Sequence, residues 1–534
     1  MTTNEQSLIS IRTEKHNKLN GCSYPITNTK CFQINYILKT MEQNSKSEQI
    51  IESLDINVLS NVYSKINLHG RIVTFRKSGS ITFIKIKDET GVIQVIGTKN
   101  STTNYENINL LDYGDIIEVS GYFCRTKAGE NSILISEFKL LTKAIRPPPD
   151  KYYGLEDQDT KYRNRHIDLM SSDESKNVFI LRSYIVSAIR RFMEDNDFME
   201  VQTPTISTIA SGANARPFTT HHNALNQDMF LRIAPELNLK RLMGTYNKVF
   251  EIGYCFRNEG IDRTHNPEFT TIEFYSAYET FPKLIDYSKE LLQYINKYIT
   301  RKTQNTDLYN FYKECLDQSD YIIFDNYVTI TMKDCVINAM NKASMFCNDD
   351  FTNIIYVESE EQTENERQSK IDHKNLDEDM SKADTIGKRI AILFEYVAEP
   401  FLKQDYVINI NDKIKSVPVI ITDHPIEISP LARPKDDDNN FCDRGEMYIN
   451  GKEVANFFQE INDPRLQESR FNDQTNNSKD PMQIDNNYIE MLECGIPPTI
   501  GAGFGIDRLV MMFTNRSSIR DVILFPTLKV NENP

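Results

Sequence analysis

The chain has 534 residues, room for roughly three or four domains and a large core, and it contains no run of about 18 apolar residues that would read as a membrane-spanning helix. Its nine cysteines sit singly with no C-x-x-C pair, which argues against a zinc ribbon or a disulfide framework and suits a reducing compartment. The net charge of −15 argues against a nucleic-acid partner on average, but the first 150 residues hold 18 Lys and Arg against 15 Asp and Glu, leaving a mildly basic front end for a polyanion.

Residues 1–50 are rich in Asn, Ser, Thr and Lys without a sustained apolar period, and are expected to be mostly disordered. A plain tail is the first reading; a start at Met41 or an organellar presequence over residues 1–40 are the alternatives, the latter interrupted by Glu5 and Glu14. Residues 51–145 read differently. From Ile66, short alternating apolar runs separated by glycine-containing turns predict about five strands in a small antiparallel barrel, an OB-fold. Arg71, Arg76, Lys77, Lys85 and Phe83 would offer charge and a stacking ring to single-stranded RNA, though basic residues on strands also serve simply as a solvated face.

The proline run in IRPPPDKYYG (145–154) marks a stiff joint, placing a linker at 146–170 and a larger domain at 171–534. In that domain NVFILRSYIVSAIRRFMEDNDF has helical spacing, and MEVQTPTIS follows as a strand broken by Pro204. Residues 281–400 are expected to be mostly helical, with an exposed acidic insertion at 345–385 holding 12 Asp/Glu against 4 Lys/Arg. The last hundred residues alternate strands and turns before a final helix. Strands with helices inserted between them predict an α+β fold rather than a doubly wound sheet.

Two stretches carry chemistry. Val249–Cys255 and Phe269–Phe274 read as strands flanking FRNEGIDRTHNPEF, and so many charges in one loop are costly unless something charged binds there. The tip holds Arg257, Glu259, His265 and Phe269, a set able to hold a nucleotide; a solvated hairpin tip is the competing reading. Later, Gly501, Gly503 and Gly505 alternate on an extended segment just before Arg508 and an apolar helical run. This is neither the dinucleotide fingerprint nor a Walker loop. Alternate glycines leave one face bare for close approach by a ligand.

Taken together, Arg257-Asn-Glu259…His265-x-x-x-Phe269 and GIDR resemble motifs 2 and 3 of the class II aminoacyl-tRNA synthetases, with Pro204 where the motif 1 proline stands. The chain is most similar to the lysyl-tRNA synthetases, from about Gly70 to Thr527, through RPPPDKYYGLEDQDTKYRNRHIDL, ANARPFTTHHNAL, RIAPELNLKRL, FRNEGI, THNPEFT, SPLAR, EIND and GIDRLVM in order. The resemblance implies an antiparallel-sheet catalytic domain preceded by the OB-fold, and a homodimer in the cytoplasm, with mitochondria the alternative. It implies ATP-dependent activation of L-lysine to lysyl-adenylate, followed by transfer to the 3′ end of tRNA(Lys).

Such a reaction brings a carboxylate to an α-phosphate, so alignment and charge neutralisation matter more than a protein nucleophile. By resemblance, Arg257 bridges the lysine carboxylate and the α-phosphate, while Phe269 and Arg508 sandwich the adenine. Glu259, His265 and Asn266 surround the nucleotide, and Glu446 and Glu453 hold Mg²⁺. Glu236 and the Gly212 carbonyl take the α-amino group; Glu273, Tyr275 and Glu460 take the ε-ammonium, with Asn456 and Phe458 lining the pocket. Phe83, Gln94 and Glu137 match positions that read anticodon uridines.

The departures are local: Ser211 replaces a usual glycine, LMGTYN is one residue short of a two-glycine turn, Gln459 replaces a small hydroxyl residue, and Val407–Ser416 reads as an insertion. An aspartyl or asparaginyl relative, which would need a positive group in the pocket, and a non-catalytic RNA-binding paralogue are the competing readings.

Overall fold

The computed structural model describes residues 3–20, 27, 29–47, 53–146, 155–209, 212, 215–352, 354–356, 366–477 and 484–529. Ser211 and most of the proline joint lie outside them. The chain divides into two compact units, residues 1–171 and 172–534.

In the first unit, β1 (Ile66–Ser78), β2 (Ile81–Lys87), β3 (Val92–Thr98), β4 (Ile116–Arg125) and β5 (Asn131–Thr142) close into a barrel in the order β1-β2-β3-β5-β4. Alternation does the sorting: along β2, Thr82, Ile84 and Ile86 are buried while the residues between them are half-buried. Gly121 sits at a bulge where β4 runs so close to the Leu134 carbonyl that a Cβ would collide with it.

Residues 1–50, expected to be mostly disordered, instead contain α1 (Thr3–Asn20) and α2 (Ile34–Ser47). The reason is tertiary. Ile34, Ile37 and Met41, on one helical stripe, are buried in the barrel's own apolar cluster, and Asp88 accepts the Ile34 amide at 2.8 Å. Lys15 pairs with Asp112 at 2.6 Å, and Arg12 donates to the Tyr113 and Ala144 carbonyls. Polar composition hid a stripe that only the barrel wall could use.

The second unit is built on eight strands: β6 (Met199–Glu200), β7 (Lys248–Phe256), β8 (Glu268–Ala277), β9 (Val328–Thr331), β10 (Val419–Pro425), β11 (Phe441–Ile449), β12 (Lys452–Gln459) and β13 (Thr499–Gly505). Their order is β9-β10-β11-β12-β13-β8-β7-β6, antiparallel except at the two outer pairs. Helices α3 (Asp173–Asp195), α5 (Phe281–Thr303) and α6 (Ile506–Phe513) supply the apolar cover. Short α4 (Glu236–Lys240) precedes β7. Phe250, Ile272, Phe274, Phe457, Ala502 and Phe504 point into that cover. Because side chains alternate, the intervening residues face the other way, and that second face is where the candidate site lies.

Residues 281–400 are largely helical, as read, but they also contribute β9 and a two-stranded pair at Met345–Cys347 and Ile354–Tyr356. The acidic segment is not simply an exposed insertion: Met345, Phe351, Ile371 and Leu376 join a second core with Val336, Leu393, Val419 and Ile421. Residues 357–365 lie outside the described set. The stretch Val407–Ser416 forms a hairpin of its own.

Candidate active site

Register brings the site together. Glu251, Glu273, Gly503, Asn456 and Glu446 lie opposite one another across β7, β8, β13, β12 and β11, forming one row. The next row holds Val249, Tyr275, Gly501, Phe458 and Arg444. Apart from Glu251 and Val249, both rows line a cavity of about 1140 Å³, together with Gly212, Glu236, Arg257, Glu259, His265, Asn266, Phe269, Glu453 and Arg508. Glu460 alone among the expected catalytic-domain residues lies behind the wall, 1% exposed. The glycines are needed there: a Cβ at Gly501 would collide with the Glu460 carboxylate and the Tyr275 ring.

One end of the cavity is acidic. The Tyr275 hydroxyl donates to Glu273 Oε2 at 3.1 Å. Burial first, then the charge of Glu236, pushes the Glu273 carboxyl well above the ordinary carboxylate range. Glu460 is also raised, chiefly by burial, with Lys240 opposing the shift. Lys240, from α4, reaches Glu236 at 2.6 Å and is in ion-pair contact with Glu460, while its ammonium lies 5.0 Å from the Phe458 ring centroid. Gly212, at φ +94°, packs against Ala234 and Glu236 in a conformation that favours glycine.

The other end is built by the loop after β7. Arg257 stacks over Phe269 at 5.2 Å, and its Nε is buried without a hydrogen-bond partner among the described residues. Asp262 caps the loop, accepting from the Thr264 and His265 amides at 2.6 and 2.8 Å. Asn266 donates to the Glu268 carbonyl at 2.6 Å, leaving its own oxygen buried and unpaired among the described residues. Arg508 donates to the Glu453 carbonyl at 2.6 Å and to His265 at 3.3 Å. Thus the two stretches that sequence singled out meet directly.

Beside them is a carboxylate cluster. Burial opposes the charge of Glu446, but His424, Arg444 and the Tyr448 hydroxyl outweigh it and hold its pKa below the usual value. Glu446 accepts from Arg444 at 2.6 Å and from the Tyr448 hydroxyl at 2.8 Å. Glu453 is raised by burial and by Glu446, and Glu399 is raised to about 7 by burial, Glu446 and Glu453. Among the described residues no set of three or more His, Cys, Asp or Glu could by itself hold a metal ion. Two hard oxygen donors whose neighbours are pushed towards protonation fit a divalent cation that completes its shell with phosphate oxygens and water.

Residues 157–529 match the family of class II tRNA synthetases (D, K and N). The chain belongs to that family. Residues 66–141 of this class II synthetase match the OB-fold nucleic acid binding domain. It is 38% identical to a lysine–tRNA ligase of Blochmanniella pennsylvanica (strain BPEN), over 98% of this chain and 96% of that one. It is also 38% identical to the lysine–tRNA ligase of Legionella pneumophila (strain Lens), over 98% of each, and 39% identical to that of Yersinia enterocolitica serotype O:8, over 91% and 89%.

In the synthetase's barrel the three expected base-reading residues differ in access. Phe83 is half-buried, with the Arg76 guanidinium 5.3 Å from its ring centroid. Glu137 is exposed and pairs with Lys65. Gln94 is buried, its amide donating to Ser132 at 2.8 Å, so in this conformation that amide nitrogen is already used.

Sequence reading missed the residues that hold the site residues in place. Arg182 of α3 pairs with Asp507 at 2.5 Å and donates to Thr270, while Asp507 accepts the Thr270 amide at 2.7 Å. This clamp fixes β8 against the start of α6 and so sets Arg508. Arg232 and Glu251 form a buried pair at 2.5 Å. Arg444 and Glu399 were unmarked because their meaning comes from strand register and helix placement. Lys240 did leave a trace, being four residues after Glu236 on a helix. Gln459 is buried and donates to the Thr499 carbonyl at 3.0 Å, which explains how a long polar side chain is accommodated there.

Proposed function

We propose that this chain activates L-lysine with ATP to lysyl-adenylate and transfers the lysyl group to the 3′ end of tRNA(Lys). One observation carries the reading most directly: Glu273 and Tyr275 face bare glycines at the acidic end of the cavity, with Glu460 just behind. A buried carboxylate is costly without a cation, so the site favours an ammonium over an uncharged isostere and would repel the side-chain carboxylate of aspartate.

In this reading the ε-ammonium sits at Glu273, Tyr275 and Glu460, between Asn456 and Phe458, and the α-amino group at Glu236 and the Gly212 carbonyl. Arg257 spans the lysine carboxylate and the α-phosphate. Its planar fork can hold two oxyanions at once, lowering the repulsion between attacking carboxylate and phosphate. Phe269 and Arg508 sandwich the adenine; Glu259, His265 and Asn266 surround the nucleotide. The unpaired donor of Arg257 and the unpaired Asn266 oxygen are groups a nucleotide would satisfy. Glu446 and Glu453 would hold Mg²⁺, which when bound neutralises phosphate charge.

Phe83 and Glu137 would stack on and bond anticodon bases, and Gln94 would join them once released from Ser132. Two copies would pair through the segment around Pro204, where Met199 and Ile206 are exposed. No helix among the described residues is long and apolar enough to cross a membrane. A cytoplasmic setting is supported by the described cysteines, all of which are free.

Replacing Glu460 with glutamine tests the pocket. The Michaelis constant for lysine should rise about 100-fold, as expected for loss of a charge-assisted partner, while that for ATP changes less than about twofold. Equal rises in both constants would contradict the assignment.

A further inference from the structure

The acidic end of the cavity contains its own lysine. Lys240 is 1% exposed, and its ammonium bridges Glu236 at 2.6 Å and Glu460, above the rings of Phe458 and Tyr275 at 5.0 and 5.8 Å. Burial works against its charge, but Glu236 and Glu460 outweigh burial and keep it protonated. Glu460 Oε2 is the oxygen in contact with Lys240; Oε1 is buried without a hydrogen-bond partner among the described residues and lies against the bare Gly501 position of the cavity wall. Among the described residues Glu273 forms no ion pair with Lys240, and it accepts from the Tyr275 hydroxyl at 3.1 Å.

We propose that Lys240 is the resident counter-ion of the amino-acid pocket, a positioning residue that cancels one of its three carboxylates and holds Glu460 with one oxygen open to the substrate. This rests on the lysine reading above and sharpens it. In the ionised state that binds an ammonium, Glu236, Glu273 and Glu460 bring three negative charges to one end of the cavity, and Lys240 leaves two for the substrate. L-lysine brings two ammonium groups, and its carboxylate is matched by Arg257. The pocket is therefore charge-balanced for a diamino acid only while Lys240 is present, and a monoamino acid would leave one buried carboxylate without a cation. The i, i+4 spacing of Glu236 and Lys240 on α4 ties the counter-ion to the carboxylate assigned to the α-amino group.

Charge balance makes an unusual prediction, because the same substitution should harm one background and help another. In the full-length enzyme, Lys240→Met should raise the Michaelis constant for lysine in ATP–pyrophosphate exchange at least about tenfold, with that for ATP within about twofold. Lys240→Arg, which keeps the charge, should stay closer to wild type. Glu460→Gln alone leaves one charge too few, so adding Lys240→Met to it restores the balance, and the double variant should have a lysine constant at least about fivefold lower than Glu460→Gln.

A merely structural Lys240 would make the double variant worse than Glu460→Gln, and that result overturns the proposal. So would parallel rises in the lysine and ATP constants, or no effect of Lys240→Met. Thermal unfolding accompanies each variant. A Lys240→Met chain that fails to fold while the double variant folds still reports the unpaired charge and supports the proposal; failure of both to fold counts against it. Wild-type exchange that does not depend on lysine would instead refute the lysine reading, so the two failures are distinguishable.

Discussion

Replacing Arg257 with alanine is expected to abolish lysine-dependent ATP–pyrophosphate exchange, with a fall of at least about 1,000-fold in kcat/KM, while tRNA binding remains within about twofold of wild type. Arg257 follows directly on β7, its backbone amide donating to the Pro267 carbonyl at 2.9 Å, and its guanidinium lies over Phe269. It lines the cavity with the acidic amino-acid end on one side and the Phe269, His265 and Arg508 group on the other. A cation in that position can neutralise both reactants where they meet. tRNA binding depends in this account on a different unit of the chain and should survive. Unchanged exchange in the alanine variant would refute the assigned role; lysine should be less effective than arginine at this position, because a point charge cannot reproduce the fork.

A second large effect is expected at Glu273. Glu273→Gln should raise the Michaelis constant for lysine about 100-fold or more, since a buried ammonium loses its facing carboxylate. The pH dependence of wild-type binding gives an independent check. Burial first, then the charge of Glu236, raises the Glu273 carboxyl, and it titrates with Glu460 near a pKa of about 8. The groups facing it are Glu236, Lys240, Tyr275, Arg257 and Glu460. In the empty pocket the pair therefore carries protons below that value, while the free ε-ammonium of lysine stays charged to about pH 10.4.

The ammonium binds the ionised form, so binding must expel a proton at low pH. Affinity for lysine should then rise between pH 6 and 8, by up to about tenfold per unit for each proton released, and level off above. Calorimetry in buffers of different ionisation enthalpy should detect that proton release. In Glu273→Gln the rise should flatten. A wild-type affinity that falls across the same interval would contradict the account.

How much of this was legible in the sequence follows from the physics of each part. The barrel was readable because period-two alternation reports directly on which face is buried, as along β2, and the main sheet because its apolar runs are bounded by turns. The two halves of the site were readable because their residue types are costly in isolation: a loop crowded with Arg257, Glu259 and His265, and glycines alternating from Gly501. That they meet depends on β8 lying beside β13, a pairing across more than 200 residues that no local pattern encodes. The helices before the barrel were missed because α2 is stabilised by a surface supplied from elsewhere in the fold. Asp507, Arg182 and Arg444 act through partners that only register and packing bring within reach. Gln94 shows a different limit: the resemblance sets it among base-reading residues, and only the fold shows that its amide is bonded to Ser132 in this conformation.

The central claim is that this cavity selects lysine and joins its carboxylate to the α-phosphate of ATP. The measurement that tests it most directly is ATP–pyrophosphate exchange by the full-length protein with lysine, aspartate and asparagine in turn, without tRNA. The account predicts exchange with lysine alone, because Glu273 and Glu460 repel a side-chain carboxylate and are left without a cation by an amide. Exchange with aspartate or asparagine but not lysine would contradict it.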